Sequence, residues 1–255
     1  MTESKKYLFE YCLKLGDNSL ILGHRLSEWC GHGPILEEDI ALTNIALDLV
    51  GQARGFLTYA CEIEAKGRTE DDLAYHRDVM QFRNHMLAEQ PNNDFAHTIM
   101  RQLLHSTYSY LLYQKLKDSK DERLAGISAK SLKEVTYHLR HAREWTLRLG
   151  DGTEESNLKA QNALNELWIY TGELFENSES EKELIKDKVA IDNRELEKEW
   201  NKIIKDVITQ STLELPSNEN IKMVTGSNKG RHTEYLGHLL ADMQFLPRAY
   251  PNAKW

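Results

Sequence analysis

The stretch ALTNIALDLVGQARGFLTYACEIE, from Ala41 to Glu64, decides the fold class. Its apolar side chains recur every three or four residues over about six turns, which is typical of a helix with one buried face. Such a helix needs other elements to cover it. The residues on this apolar stripe are Leu42, Ile45, Ala46, Leu49, Ala53, Phe56, Leu57 and Ala60.

The middle of this stretch, DLVGQ, stands where a two-metal helical bundle carries the pattern Glu-x-x-His. Residues three apart share a helix face and can hold one ion together. Here the two positions are Leu49 and Gln52. Leucine has no donor atom, and a neutral amide is a poor substitute for imidazole on iron. The pattern therefore predicts a helix shaped like those of metal-binding bundles but without side chains that could bind the metal.

The whole-chain properties limit the class of protein. The chain has 255 residues and a formal net charge of -8, and no linker divides it, so we expect one helical domain over residues 1–255. The acidic balance argues against duplex nucleic-acid binding, and no segment resembles a signal peptide or a membrane span. We therefore expect a soluble, cytoplasmic protein that binds neither nucleic acid nor membrane. Cys12, Cys30 and Cys61 fit no disulfide or metal spacing, and we expect small core residues.

The remaining sequence continues the helical pattern, which predicts an all-α protein. The predicted helices contain Leu8–Trp29, Ala41–Glu64, Thr69–Glu89 as a connecting helix, Ile99–Tyr113, Leu124–Leu149, Ala160–Phe175, Leu196–Ile208 and Thr233–Phe245. The charged run from Glu176 to Lys188 is predicted to be a surface loop or a frayed turn, and a short aromatic tail closes at Trp255. The prolines are expected to separate helices rather than lie inside them; they are Pro34, Pro91, Pro216, Pro247 and Pro251.

The metal-binding template of a di-iron bundle can be tested position by position. It needs a carboxylate from each of two helices and Glu-x-x-His from each of the other two. This chain offers Glu28, Leu49, Gln52, Ser106, Val135 and His138. Only Glu28 and His138 remain competent, which is too few to hold an iron pair. Apolar residues at the other positions avoid the desolvation cost of buried charge. Glu28 and His138 still need polar partners if they are buried, so we expect them to bond to each other, to Gln52 or to an arginine.

Alternatives remain open at this point. His138 is either a core histidine or part of an irregular metal site with Glu28, Glu134 and His105, in which case the chain is an autonomous metal-dependent oxygenase. A stand-alone helical adaptor is a third possibility. The loop from Gly226 to Arg231 is either a phosphate-binding loop or a solvated turn.

Several short blocks in combination resemble the C subunits of bacterial phenylacetyl-CoA 1,2-epoxidases, and the likeness runs from Leu15 to the C terminus. The blocks are Leu47–Arg54, Leu15–Asn18, Glu28–His32, Glu89–Asn92, Ile127–Lys130 and Lys229–Gly237. The resemblance implies a ferritin-like four-helix bundle with additional peripheral helices. It further implies a structural component without a cofactor of its own.

The resemblance also implies partners. A homologous catalytic A subunit holds the di-iron centre that epoxidises the aromatic ring of phenylacetyl-CoA, in a hetero-oligomer with two copies of each subunit. A reductase supplies electrons, and small accessory subunits complete this system of phenylacetate catabolism. The tryptophans Trp29, Trp145, Trp168 and Trp200 belong either to the interface with the catalytic subunit or to the core.

Acyl-CoA contacts implied by the resemblance fall on two short segments. The first is Gln81, Phe82, Arg83 and Asn84, and the second is Lys182, Glu183 and Leu184. Arg77 and Arg83 are expected to meet CoA phosphates through charge-assisted hydrogen bonds. The alternative for both segments is an exposed amphipathic turn without a ligand.

Overall fold

The structure is a computed structural model that describes residues 1–217, 221–251 and 253. Within these ranges every regular element is helical, which confirms the all-α class. None of the helices described is long and apolar enough to span a bilayer. The aromatic tail ending at Trp255 lies outside the described residues.

Backbone contacts divide the chain into two compact units. Unit 1 comprises residues 1–90 and 226–255, and unit 2 comprises residues 91–225. The single domain over residues 1–255 stays a prediction.

Unit 1 is built around two long helices joined by a short connection. Its helices are α1 (Glu3–Ser27), α2 (Leu36–Glu64), α3 (Glu70–Tyr75), α4 (Met86–Glu89) and α10 (Glu234–Ala249), with 3-10 turns at Val79–Gln81 and Ser227–Lys229.

The helices α1 and α2 run antiparallel in close contact. A Cβ added at Gly16 would lie 2.8 Å from the Leu57 side chain, and one at Gly23 would lie 3.2 Å from Leu49. Glycine at these positions therefore allows the two helices to approach. The whole apolar stripe predicted for α2 is buried, so the fold-deciding pattern is confirmed. The helix begins at Leu36, before the predicted stretch, and ends with Ala65 in the left-handed conformation.

Unit 2 is likewise organised by a pair of long helices. Its helices are α5 (Phe95–Leu116), α6 (Glu122–Gly150), α7 (Glu154–Trp168), α8 (Glu179–Lys186) and α9 (Arg194–Gln210), with a 3-10 turn at Gly172–Phe175.

The N-termini of α5 and α6 are capped by aspartate side chains, with Asp94 accepting from the His97 amide and Asp121 from the Leu124 amide. Trp200 of α9 is fully buried and donates its indole N–H to the Leu104 carbonyl at 3.0 Å. The packing of unit 2 is therefore fixed both at the helix ends and in its centre.

Two of the four tryptophans considered for an interface are core residues. Trp168 and Trp200 are buried and their rings lie 5.8 Å apart. Trp29 and Trp145 are half-buried.

The connecting helix predicted within Thr69–Glu89 is wrong. This segment forms α3, a 3-10 turn and the single-turn α4, with extended backbone between them. Thr69 and Asp72 form a capping box that starts α3. The helix stops because the segment that follows bonds to polar side chains of α1 instead: the Arg83 amide donates to Asp17 and the His85 amide to Asn18.

The surface loop predicted from Glu176 to Lys188 is also wrong, because it contains α8. Ser178 and Glu181 form a capping box at its start. Glu181 is buried and accepts a hydrogen bond from Asn193, and Leu184 is buried too. This charged segment therefore forms a helix, because Glu181 and Leu184 on its inner side are buried and Glu181 is hydrogen-bonded to Asn193.

Smaller corrections concern helix ends and cysteines. The fifth predicted helix ends at Trp168, and Phe175 lies in a separate 3-10 turn. Pro247 lies inside the last turns of α10 rather than beyond its end. Cys12 is buried as predicted, but Cys30 is exposed, so the prediction that every cysteine is a core residue is wrong.

Candidate functional site

The positions that would bear metal ligands in α2, α5 and α6 are buried. In unit 1 these are Leu49 and Gln52, each 3% exposed. In unit 2 they are Ser106, Val135 and His138. The helix period therefore placed these side chains correctly on inward faces.

Glu28, the carboxylate that α1 was expected to offer as a metal ligand, is not buried. Helix α1 ends at Ser27, so Glu28 is the C-terminal cap and its side chain is 41% exposed. Its carboxylate accepts a hydrogen bond from Arg25 at 2.8 Å, which confirms the expected arginine partner. The partner of His138 stays a prediction.

The donor set does not fit a di-iron centre. Leu49 and Val135 have no atom that can bind a metal. Across residues 1–217, 221–251 and 253, no group of three or more His, Cys, Asp and Glu side chains converges. Glu134, considered for an irregular site, lies 3.7 Å from the ammonium of Lys130. Among the described residues of unit 2, Glu134, His105 and His138 therefore assemble no metal site.

A buried polar face of α5 accompanies the ligand positions in unit 2. Arg101, Gln102 and His105 are each at most 3% exposed. Burial is the largest cause that lowers the pKa of His105 to about 3, and the neighbouring Arg101 and His138 contribute to the same lowering. The imidazole of His105 is therefore uncharged at neutral pH. Its Nδ1 lies 3.3 Å from the Ser109 hydroxyl.

The first acyl-CoA segment, Gln81 to Asn84, is held by α1 through a buried ion pair. Asp17 is fully buried and accepts hydrogen bonds from the Arg77 guanidinium and, at 2.9 Å, from the Arg83 amide. Arg77 also stacks on the Phe82 ring, with its guanidinium carbon 4.2 Å from the ring centroid. Because Arg77 is buried and neutralised, the prediction that it meets a CoA phosphate is wrong.

The side chains of this segment have different exposures. Gln81 is exposed, and its side-chain oxygen accepts from the Asp78 amide. Phe82 and Asn84 are fully buried. Arg83 is half-buried, and one guanidinium nitrogen donates to the Met80 and Phe82 carbonyls. Solvent therefore reaches Gln81 and Arg83, while Phe82 and Asn84 fix the segment.

A second buried network ties the same segment to the start of α10. The fully buried Glu89 carboxylate accepts from Asn84 at 3.1 Å and from the Thr233 amide at 2.6 Å. His232 contacts both this carboxylate and the Phe82 carbonyl. Its Nδ1 lies 3.0 Å from the Glu89 carboxylate, and its Nε2 lies 3.1 Å from the Phe82 carbonyl oxygen. The imidazole of His232 therefore links the Glu89 side chain to the backbone of the first segment. The Glu89 carboxylate also stands at the N-terminus of α10, where the helix dipole favours negative charge.

This network was not predicted, although the blocks that carry the resemblance contain its members. The blocks Leu15–Asn18, Glu89–Asn92 and Lys229–Gly237 supply Asp17, Glu89 and His232. Arg25 of α1 joins them, because its guanidinium donates to the Glu89 and Tyr235 carbonyls. The apolar period carries no signal for this network, because Asp17 is not on the predicted stripe of α1 and because Glu89 and His232 lie outside the long helices.

The loop between Gly226 and Arg231 packs against the first segment. Gly230 has φ of 74°, and an added Cβ would clash with the Met80 carbonyl oxygen, so glycine is required there. Lys229 and Arg231 are both exposed. Beside this region a groove of about 520 Å³ is lined by Val79, Leu240, Gln244, Phe245 and Arg248 among others.

The second segment, Lys182 to Leu184, lies in α8 of unit 2. The Lys182 ammonium bonds to Glu179 at 2.6 Å, and Glu183 accepts from Lys186 at 2.7 Å. Leu184 is 3% exposed and points into unit 2. The two segments therefore belong to different units of the chain.

Comparison with known proteins adds two findings. The model of the PaaA_PaaC family, described as phenylacetic acid catabolic protein, matches residues 1–255. The chain is 48% identical over 248 residues to the C subunit of the 1,2-phenylacetyl-CoA epoxidase of Escherichia coli (strain K12), which covers 97% of this chain and 99% of that protein. These findings confirm the resemblance predicted from the sequence. They also confirm the ferritin-like class, and the chain therefore belongs to the PaaA_PaaC family of phenylacetic acid catabolic proteins.

Proposed function

We propose that this chain is the C subunit of a phenylacetyl-CoA epoxidase, a structural and iron-free component of a multicomponent di-iron monooxygenase. The observation that carries the proposal is the 48% identity to the Escherichia coli protein over nearly the full length of both chains. The complex acts in aerobic phenylacetate catabolism in the cytoplasm. Leu49 and Val135 at two ligand positions support the absence of iron from this chain.

The chemistry belongs to the partner subunit. A homologous catalytic A subunit holds the di-iron centre, which supplies the activated oxygen for ring epoxidation. This chain stabilises that partner in a hetero-oligomer with two copies of each, served by a reductase and small accessory subunits. The buried Asp17–Arg77 and Glu89–His232 pairs suit a scaffold because they fix irregular segments between helices.

Acyl-CoA contact is proposed for the segment from Gln81 to Asn84. Gln81 and Arg83 meet the ligand, and the buried Phe82 and Asn84 position them. The support is electrostatic: Arg83 and the solvent-accessible Lys229 and Arg231 lie on segments in contact through Gly230. CoA phosphates favour such a group of cations.

Lys182, Glu183 and Leu184 form a second proposed acyl-CoA contact. Lys182 supplies an exposed ammonium, Glu183 holds Lys186 beside it, and the buried Leu184 fixes the helix.

Reconstitution tests the proposed function. The chain, the partner that holds the di-iron centre and the reductase are purified and assayed on phenylacetyl-CoA singly and in combination. We expect this chain plus reductase to be inactive, and the full set to consume phenylacetyl-CoA while the two large subunits elute together. Epoxidation by this chain and reductase alone would establish the autonomous oxygenase instead.

A further inference from the structure

The outward face of α2 is apolar although solvent reaches it. Leu36 is 71% exposed, Ile40 52%, Leu47 65% and Val50 37%. Their spacing of four, seven and three residues places them on one line of the helix. The same helix buries a second apolar stripe against α1, so α2 is apolar on two sides. A contiguous exposed apolar line of this kind marks an interaction surface.

Helix α6 shows what an ordinary exposed face of this chain looks like. Both helices have 29 residues. Of the eleven exposed positions of α6, seven carry a charge. Between Glu37 and Arg54 of α2, the exposed positions are Ile40, Asn44, Leu47, Val50 and Gly51, and none is ionisable. The outward face of α2 is therefore unlike a solvated helix face.

Gly51 lies in the same exposed region, and no contact among the described residues requires a glycine there. A Cβ added there would meet no atom within 4 Å among the described residues. Glycine inside a helix lowers stability relative to alanine, because the unfolded chain gains freedom. The position leaves room for close approach by the backbone of another chain.

A hollow of about 330 Å³ adjoins the line of apolar residues at Val50. Leu20, Leu57 and Ala74 contribute its apolar lining, and Glu70 and Asp71 lie at its edge. Such a hollow accepts one anchoring side chain, and an acidic edge favours a basic neighbour on the incoming element.

We infer that this surface, defined by Leu36, Ile40, Leu47, Val50 and the adjoining hollow, docks a long amphipathic helix of the catalytic subunit. The incoming helix carries an apolar anchor for the hollow and basic residues beside it. This inference rests on the proposed function, which makes the chain one member of a multi-subunit complex. The line from Leu36 to Val50 spans about 21 Å, which is enough for about four turns of a partner helix.

Charge distribution favours a different subunit over a second copy of this chain. Glu37 lies at the start of the surface, and Glu70 and Asp71 lie at its other end. Arg54 at that end is bonded to Glu70 at 3.1 Å, so these two charges offset each other and Asp71 makes that end acidic. Pairing two copies brings acidic groups together in either orientation, whereas a basic partner helix neutralises them.

The test uses the full chain with Leu47→Glu and Val50→Glu combined, titrated against the purified catalytic subunit. We expect the dissociation constant to rise at least about 100-fold, because two carboxylates that must be desolvated replace a central apolar contact. The unfolding midpoint of the chain alone should stay unchanged, since both positions are exposed. The matched control is Leu158→Glu on α7, 60% exposed, which should bind as the wild type does.

The outcomes separate this inference from the proposed function. Wild-type affinity in the Leu47→Glu, Val50→Glu variant overturns the docking surface while the proposed function stands. A wild-type chain that forms no complex with the catalytic subunit overturns both. A dimer of the isolated chain that the variant dissociates, with binding to the catalytic subunit intact, assigns the surface to self-association and overturns the inference.

Discussion

The Asp17 carboxylate and the Arg77 guanidinium form a buried ion pair across 60 residues of sequence, with one N···O distance of 3.0 Å. Asp17 also accepts the Arg83 amide, so a single side chain of α1 fixes the segment proposed to contact acyl-CoA. A buried charge that loses its partner is costly because the remaining charge stays desolvated. The stability of unit 1 therefore depends on this pair more than on any exposed ion pair.

Asp17→Ala should lower the free energy of unfolding by about 3–5 kcal/mol, because it leaves the Arg77 charge buried and unpaired. Urea unfolding followed by circular dichroism measures the change. The double variant Asp17→Ala, Arg77→Met removes both charges and should be less destabilised than the sum of the single variants. Strict additivity would show that the two residues stabilise the fold independently.

Glycine at position 51 should have opposite effects on the isolated chain and on the complex. Gly51→Ala should raise the free energy of unfolding of the chain alone by about 0.5–1 kcal/mol, because alanine favours the helix. The same substitution should weaken binding to the catalytic subunit, since its methyl group occupies the interface. Gly126→Ala on α6 is the matched control: an added Cβ there also meets no described atom within 4 Å. It should stabilise the chain without changing binding.

The long helices were predictable because their apolar period is strong and continuous. The segment from Thr69 to Glu89 was not, because its conformation follows from polar bonds to Asp17 and Asn18, which lie far away in sequence. Helix α8 was missed although Ser178 and Glu181 form a recognisable capping box. The charged composition of this segment favoured a loop, and the prediction followed the composition rather than the capping box.

The site was predictable only in part, for a similar reason. Periodicity placed Leu49, Val135 and His138 on buried faces, as the structure confirms. Periodicity did not decide whether Glu28 is buried, because burial near a helix end depends on where the helix stops. The exposed line of α2 is visible in the sequence as a second apolar period. The sequence does not show which of the two apolar periods faces the core of the chain, and the structure is needed to tell them apart.

Stability should fall in mild acid because of His105. Burial lowers its folded-state pKa from 6.5 to about 3, so between these values the unfolded chain binds more protons than the folded one. The free energy of unfolding should therefore decrease by about 2 kcal/mol from this residue as the pH falls from about 7 to about 5. His105→Asn retains a group that can bond to Ser109 but does not titrate. A pH dependence as steep in this variant as in the wild type would contradict the assignment.

Arg83 should affect acyl-CoA recognition in the assembled enzyme. Arg83→Gln removes a charge-assisted contact with phosphate, so KM for phenylacetyl-CoA should rise about 10-fold with kcat unchanged. Steady-state kinetics of the complex measures this split. Phenylacetyl-pantetheine, which lacks the nucleotide phosphates, is the control substrate, and the variant and the wild type should use it equally. An equal loss with both substrates would indicate a structural defect.

Iron content of the purified chain tests the central claim most directly, since Leu49 and Val135 replace ligands that a di-iron centre requires. The chain is incubated with ferrous iron, exposed to air, desalted and analysed for metal and for visible absorption. We expect iron far below one atom per chain and no oxo-bridge absorption. Two tightly held irons per chain with that absorption would contradict the account.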